Sequence, residues 1–170
     1  MRFLEPRHYQ PAINRLFREV AREVERQLPF ARIEHIGASS IPGAVSKGDL
    51  DVFVGVARCH FLRSITLLKK LGYSEKADTL RTESLCMLET RRYASDVAIQ
   101  LVENGSPFET FLQFRDLLQA DATLLNEYNA LKRACEGLDE ESYRRTKADF
   151  IEGLLQARGT STGDGASGPA

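Results

Sequence analysis

Ile13, Leu16, Phe17, Val20, Val24 and Leu28 recur every three or four positions, with Arg15, Arg18, Glu19, Arg22 and Glu25 between them. That period is helical, so it predicts an amphipathic first helix over about residues 9–28, ended by Pro29. The pattern then changes. ARIEHIG reads as a short strand and LDVFVGV as a second, β-branched and more deeply buried one. Leu62, Ile65, Leu68 and Leu71 mark a helix that stops at Gly72, a residue suited to a left-handed cap. SLCMLET and SDVAIQLV supply two more strands. The last of these alternates between Asp96, Ala98 and Gln100 on one face and Val97, Ile99 and Leu101 on the other.

From Ser106 onward the period is helical throughout. SPFE places Ser106 at an N-cap, Pro107 at the first helical position and Glu109 where a capping box wants it. Asp121 opens the next helix, carried by Leu124, Leu125, Tyr128, Leu131 and Cys135 and closed by Gly137. Asp139 caps the last, carried by Tyr143, Phe150, Ile151, Leu154 and Leu155. One helix, a mixed segment with about four strands, then three helices is an α+β order: a small mixed sheet with flanking helices and a C-terminal helical bundle. Residues 1–158 read as one unit, with the sheet part over about 1–104 and the helical part over about 105–158. GTSTGDGASGPA, residues 159–170, lacks apolar periodicity and is expected to be a disordered tail.

Composition narrows the class. A chain of 170 residues can bury one full core. Its 23 basic and 24 acidic side chains leave a formal net charge of −1, so no global field steers a polyanion toward it and long nucleic acids are not expected partners. No apolar run approaches the length of a membrane span, and the start lacks the apolar stretch of a secretory signal, so the expected location is the cytoplasm. Cys59, Cys86 and Cys135 are odd in number and lack CxxC spacing, which points to small core residues rather than a disulfide framework or a zinc site.

The chemistry concentrates in HIGASSIPGAVSKGDLDVFVGV, His35 to Val56. Asp49 and Asp51 are two apart, so on a strand they share a face. Two carboxylates on a half-buried strand are costly to desolvate and repel each other, and a divalent cation relieves both costs. Paired carboxylates of this kind hold the metals of phosphoryl-transfer sites. Upstream, Gly37 lets backbone approach a phosphate closely, Ser39 and Ser40 offer donors to its oxygens, and Lys47 adds a point charge. Separately, DLD is an ordinary acidic strand end and GASS an ordinary turn. Their joint spacing suggests a triphosphate on one side and Mg²⁺ (or Mn²⁺) on the other. Asp96, on the face shared with Gln100, is the candidate third carboxylate and acceptor of a proton. His35 stands beside the turn and can position it, while His8 and His60 have no chemical context.

Gly37-Ala38-Ser39, nine residues, then Asp49-Leu50-Asp51-Val52 resembles the signature of the nucleotidyltransferase superfamily that includes DNA polymerase β and the antibiotic nucleotidyltransferases. More narrowly, EHIGASSIPG at Glu34 to Gly43, with Lys47 and Asp51 downstream, resembles the GrpB family. GSPFETFLQFRDLL at Gly105 to Leu118, Tyr128 with Leu131 and Lys132, and Tyr143, Lys147, Phe150 and Ile151 extend the likeness over nearly all the chain except the tail.

The resemblance implies a nucleotidyltransferase-like sheet with a C-terminal helical bundle, in a family whose substrates are poorly defined, and does not by itself imply activity. It raises the expectation that Arg115, Lys132 and Lys147 converge on the phosphates. The joint motif of Gly37, Ser39, Asp49 and Asp51 carries the expectation of a metal-dependent transfer of a nucleoside monophosphate from a nucleoside triphosphate, ATP first among them, to a small-molecule or protein acceptor. This sequence departs from the usual GrpB pattern in two places. Asp49 stands where many relatives have an apolar residue, and DVAIQLV, with Gln100, stands where many have a His-x-His-like strand. The alternative reading is an inactive nucleotide- or phosphometabolite-binding module of the same fold, a partner for an enzyme of coenzyme-A or nucleotide metabolism.

Overall fold

Proline in the first turn starts α1, Pro6–Gln27, at a position where its missing N–H leaves no bond unmade; the helix buries Tyr9, Ile13, Val20 and Val24. The computed structural model describes residues 2–159. After α1 come β1 (Arg32–Ile36), β2 (Leu50–Val56), α2 (Phe61–Lys70), β3 (Ser74–Glu75), β4 (Leu85–Thr90) and β5 (Val97–Glu103). Three helices follow: α3 (Thr110–Ala120), α4 (Ala122–Ala134) and α5 (Glu140–Gly159). Of the expected tail, Gly159 ends α5 and the rest lies outside the described residues.

The strands form one sheet in the order β1-β2-β5-β4-β3. β2 and β5 run parallel and the other neighbours antiparallel. Both faces of the central strands are covered, which explains why β2 reads as a nearly continuous apolar run. On one face Leu50, Val52 and Val54 join Ile99 and Leu101 against α1 and α2. On the other, Ile36, Phe53, Leu85 and Val102 meet Leu112 of α3. A third cluster joins Ile41 and Ala44 of the β1–β2 loop to Phe114, Leu118 and Tyr128, and so fastens the helical half onto that loop. The α+β class stands as expected.

Local signals were followed to different degrees. Gly72, at φ +87°, ends α2 in the left-handed conformation, and the Asp121 side chain accepts from the N–H groups of Thr123 and Leu124 at 3.0 and 3.1 Å. The sheet has five strands rather than four, because β3 is two exposed polar residues with no alternation to reveal it. SPFE does not form the expected capping box. Pro107–Glu109 is a 3₁₀ turn, the buried Ser106 hydroxyl has no partner, and Glu109 instead accepts from the Gly105 N–H at 3.1 Å. Cys86 and Cys135 are buried as expected, but Cys59 is exposed, since it sits on a surface turn before α2. Among the described residues no helix is long and apolar enough to cross a membrane.

Candidate functional site

β1 runs directly into the glycine-serine turn, and the neighbouring strand carries Asp51 opposite Ile36. Gly37 lies at φ +72°, and a Cβ there would collide with Asp51 Oδ2 and stand 3.0 Å from the Asp51 Cβ. Two independent reasons therefore demand glycine: the left-handed backbone and the close approach to the carboxylate. Ala38–Ser40 continues as a 3₁₀ turn. The Ser40 hydroxyl donates to the Gly37 carbonyl at 2.7 Å, and the buried Ser39 hydroxyl lies 3.1 Å from His35 Nε2. Both serine side chains thus close the turn on itself. His35 stacks on Phe17 with centroids 4.8 Å apart, and burial, aided by the Arg115 charge, pushes its pKa down to about 4, so the ring is neutral.

Asp49 precedes β2 rather than lying within it, and Ser46 Oγ donates to it at 3.2 Å. The loop leading there is tied from two sides. From α1, Tyr9 donates its hydroxyl to the Ala44 carbonyl and Gln10 its amide to the Ile41 carbonyl, each at 2.6 Å. From α4, Asn129 accepts from the Val45 N–H at 2.9 Å and donates to the Gly43 carbonyl at 3.0 Å, while Lys132 Nζ donates to the Val45 carbonyl. Lys132 is fully buried, its ammonium 4.2 Å from the Tyr128 ring centroid, and burial, with Lys147 nearby, pulls its pKa down to about 7. It is a wall residue, not a member of a solvated helix face.

These restraints shape a cavity of about 500 Å³ over the sheet, lined by Gly37, Asp49, Asp51 and Gln100 and walled by Tyr128, Lys132, Tyr143 and Lys147 from the helical half. A second lobe of about 640 Å³ shares Lys47, Asp49, Asp51, Lys76 and Ala98, and adds Glu89 and Asp96. The two aspartates therefore stand where the lobes join. Burial first, then the Asp49 charge, push Asp51 up to about 6, partly offset by Lys147, Lys76 and the Gln100 amide. The Tyr128 hydroxyl is pushed up by burial and by both aspartates.

The cavity brings together Gly37, Lys47, Asp49, Asp51, Lys132 and Lys147 from the residues singled out in the sequence. Asp96 belongs only to the second lobe; it is exposed, and its carbonyl accepts from the Leu50 N–H at 2.9 Å. Arg115 does not line the cavity. It pairs with Glu34 at 2.6 Å and Asp116 at 2.7 Å and donates to the His35 carbonyl at 3.0 Å, holding α3 against β1. Asn129, Tyr9 and Gln10 escaped sequence reasoning. For Asn129 a signal existed: with Tyr128 and Lys132 it puts polar groups on the helix face that also carries Leu125.

Among the described residues no group of three or more His, Cys, Asp and Glu side chains is set to hold a metal. The donor set at the junction is two carboxylates, with the Gln100 amide lining one of the two lobes. That set fits Mg²⁺, which proteins commonly hold by one or two carboxylates while water and substrate phosphates complete the octahedron.

The GrpB protein family model matches residues 5–157. A UPF0157 protein of Vibrio cholerae is 50% identical over 155 residues, covering 91% of this chain and 82% of that one. A UPF0157 protein of Streptomyces coelicolor is 30% identical over 134 residues, covering 76% and 69%. Among solved structures, the conserved protein GrpB from Enterococcus faecalis matches with a TM-score of 0.67 at 18% identity, over 91% of this chain and 99% of that one. Cid1, described by its RNA terminal uridylyl transferase activity, matches with a TM-score of 0.51 at 14% identity, over 75% of this chain and 40% of its own. At these identities the structural likeness shows the fold, which is nucleotidyltransferase-like.

Proposed function

The chain belongs to the GrpB family, and from that premise we propose that it transfers a nucleoside monophosphate from a nucleoside triphosphate to a small-molecule or protein acceptor. One observation carries the reading: Asp51, packed under the Gly37 turn beside Asp49, is held at the junction of two lobes with Lys47, Lys132 and Lys147 in the walls of one. Two carboxylates kept together in a partly buried place repel each other, a cost that a bound cation would relieve, and this supports the reading.

Asp49 and Asp51 would hold Mg²⁺ (or Mn²⁺), which when bound supplies positive charge to the phosphate oxygens. Lys47, Lys147 and the protonated Lys132 share the remaining phosphate charge, and the Gly37 turn lets backbone approach it. Ser39 and Ser40 maintain the turn's shape through their bonds to His35 and Gly37. Arg115 acts at one remove by fixing α3. In the transfer, an acceptor oxygen forms a bond to the α-phosphorus as the bond from that phosphorus to the α,β-bridging oxygen breaks. Pyrophosphate departs with the electron pair, and the acceptor proton passes to Asp96, the exposed carboxylate of the second lobe. ATP is the first donor to try.

The second reading is a binding module that holds a nucleotide or phosphometabolite without turning it over, for a partner enzyme of coenzyme-A or nucleotide metabolism. It is favoured by one observation, that the cavity-facing positions of β5 are Ala98 and Gln100 and carry no carboxylate. Thermal unfolding of the wild type and Asp51→Asn against a panel of triphosphates, with and without Mg²⁺, tests what both readings share. A ligand at a hundredfold over its dissociation constant adds about 2.7 kcal/mol to the native state. The expected result is a Mg²⁺-dependent shift lost in the variant; no shift with any triphosphate refutes the nucleotide site.

A further inference from the structure

Gln100 is only 7% exposed, and its amide oxygen has no hydrogen-bond partner. Leaving such an acceptor unpaired costs roughly 1–3 kcal/mol, which an apolar residue of the same shape avoids. The same-face neighbours along the strand, Ala98 and Val102, are apolar, so a glutamine here calls for another reason. Its place supplies one. In the sheet register Gln100 pairs with Phe53, one step along the same face from the pair of Asp51 with Ala98. On its other side it pairs with Met87, so the cross-strand neighbours are apolar and offer the oxygen nothing. Its side chain lines the cavity together with Asp49 and Asp51, and its amide lies near enough to Asp51 to favour the ionised carboxylate.

We propose that Gln100 is the third oxygen donor to a hard divalent cation held by Asp49 and Asp51, and that its amide serves in two orientations. In the cation-free protein, Nε2 donates to Asp51 and partly offsets its charge. When a cation is bound, a half-turn of the amide presents Oε1 to it, while the cation takes over the neutralisation of Asp51. The amide nitrogen and oxygen occupy nearly the same space, so the turn requires no repacking of the strand. Amide oxygens are ordinary ligands of hard cations. A neutral donor adds a ligand without a third negative charge, so the two carboxylates balance one divalent ion. The inference rests on the reading of Asp49 and Asp51 as a cation site and is independent of the transfer step.

The test is equilibrium binding of Mn²⁺ to the full chain without nucleotide, followed by the electron paramagnetic resonance signal of free Mn²⁺. Wild type, Asp51→Asn, Gln100→Leu and Gln100→Glu are compared, with melts in EDTA for each. One Mn²⁺ is expected per wild-type chain, with binding lost in Asp51→Asn and weakened on the order of tenfold in Gln100→Leu. Gln100→Leu removes both the unpaired acceptor and the support of Asp51, two opposing changes, so it should melt in EDTA close to wild type, and a folded variant confirms that its weaker Mn²⁺ binding is local. Gln100→Glu, which keeps an oxygen and loses the N–H donor, should bind Mn²⁺ at least as tightly as wild type. If Gln100→Glu weakens binding as much as Gln100→Leu, the amide acts only as a donor to Asp51 and the proposal is overturned. Binding lost in Asp51→Asn but untouched in Gln100→Leu overturns it alone, whereas no Mn²⁺ on the wild type removes the cation site itself.

Discussion

Replacing Asp51 by asparagine should make the cation-free protein more stable, although the same change removes the proposed cation site. Burial and the Asp49 charge raise the Asp51 pKa from 3.8 to about 6. The folded protein therefore binds more protons than the unfolded chain between these values, and stability falls as pH rises from about 4 through about 6, staying lower above that. A shift of about two units at about 1.36 kcal/mol per unit amounts to roughly 3 kcal/mol at pH 7.5. For a chain of this size, about 2–4 °C per kcal/mol converts that into an increase in Tm of roughly 6–12 °C. The assay is urea and thermal unfolding of both proteins in EDTA at pH 4 and pH 7.5. His35 tilts the profile the other way: with its pKa lowered to about 4, it contributes stability that is lost as pH falls below its unfolded value of 6.5. His35 is present in both proteins, so the difference between them isolates Asp51. The variant should exceed wild type at pH 7.5 and approach it at pH 4, and Mg²⁺ should then narrow the gap by stabilising wild type alone. A variant less stable than wild type at pH 7.5, or a gap of the same size at both pH values, refutes the reasoning.

Further outcomes follow from particular contacts. Gly37→Ala places a methyl against Asp51 at φ +72°, so it should destabilise by about 1–3 kcal/mol in urea unfolding and abolish Mn²⁺ binding. Arg115→Ala removes the 2.6 Å pair with Glu34, which keeps Arg32, and the donor to the His35 carbonyl, and should cost about 1 kcal/mol of stability, while the thermal shift produced by nucleotide and Mg²⁺ remains. Lys132 deprotonates near pH 7, so triphosphate affinity measured by calorimetry should weaken as pH rises through about 7. In Lys132→Met that pH dependence should disappear.

The elements were legible where a local rule and the tertiary environment agree. Asp121 caps α4 because its side chain reaches the free N–H groups of the first turn, and β2 reads as buried because helices cover both of its faces. Ser106 shows the opposite case: the capping-box spacing is present, yet the chain turns as 3₁₀ before α3 and carries Glu109 to the Gly105 N–H. The site divides along the same line. The closeness of Gly37 to Asp51 joins residues 14 apart in sequence through one hairpin register, so spacing could suggest it. Lys132 and Arg115 depend on which way α4 and α3 face, and helical periodicity does not say whether a basic residue beside apolar ones points to water, to a loop carbonyl or to a carboxylate. The unpaired oxygen of Gln100 depends on the cross-strand neighbours Phe53 and Met87, which only the strand order reveals.

Pyrophosphate release tests the central claim most directly. Wild type and the double variant Asp49→Asn/Asp51→Asn would be incubated with each of the four common nucleoside triphosphates, Mg²⁺ and pooled small-molecule acceptors, with the chain itself present as a protein acceptor. Transfer predicts Mg²⁺-dependent pyrophosphate release from one preferred triphosphate by wild type and none by the double variant. Tight, Mg²⁺-dependent triphosphate binding without release under any acceptor pool would contradict transfer and leave a binding module.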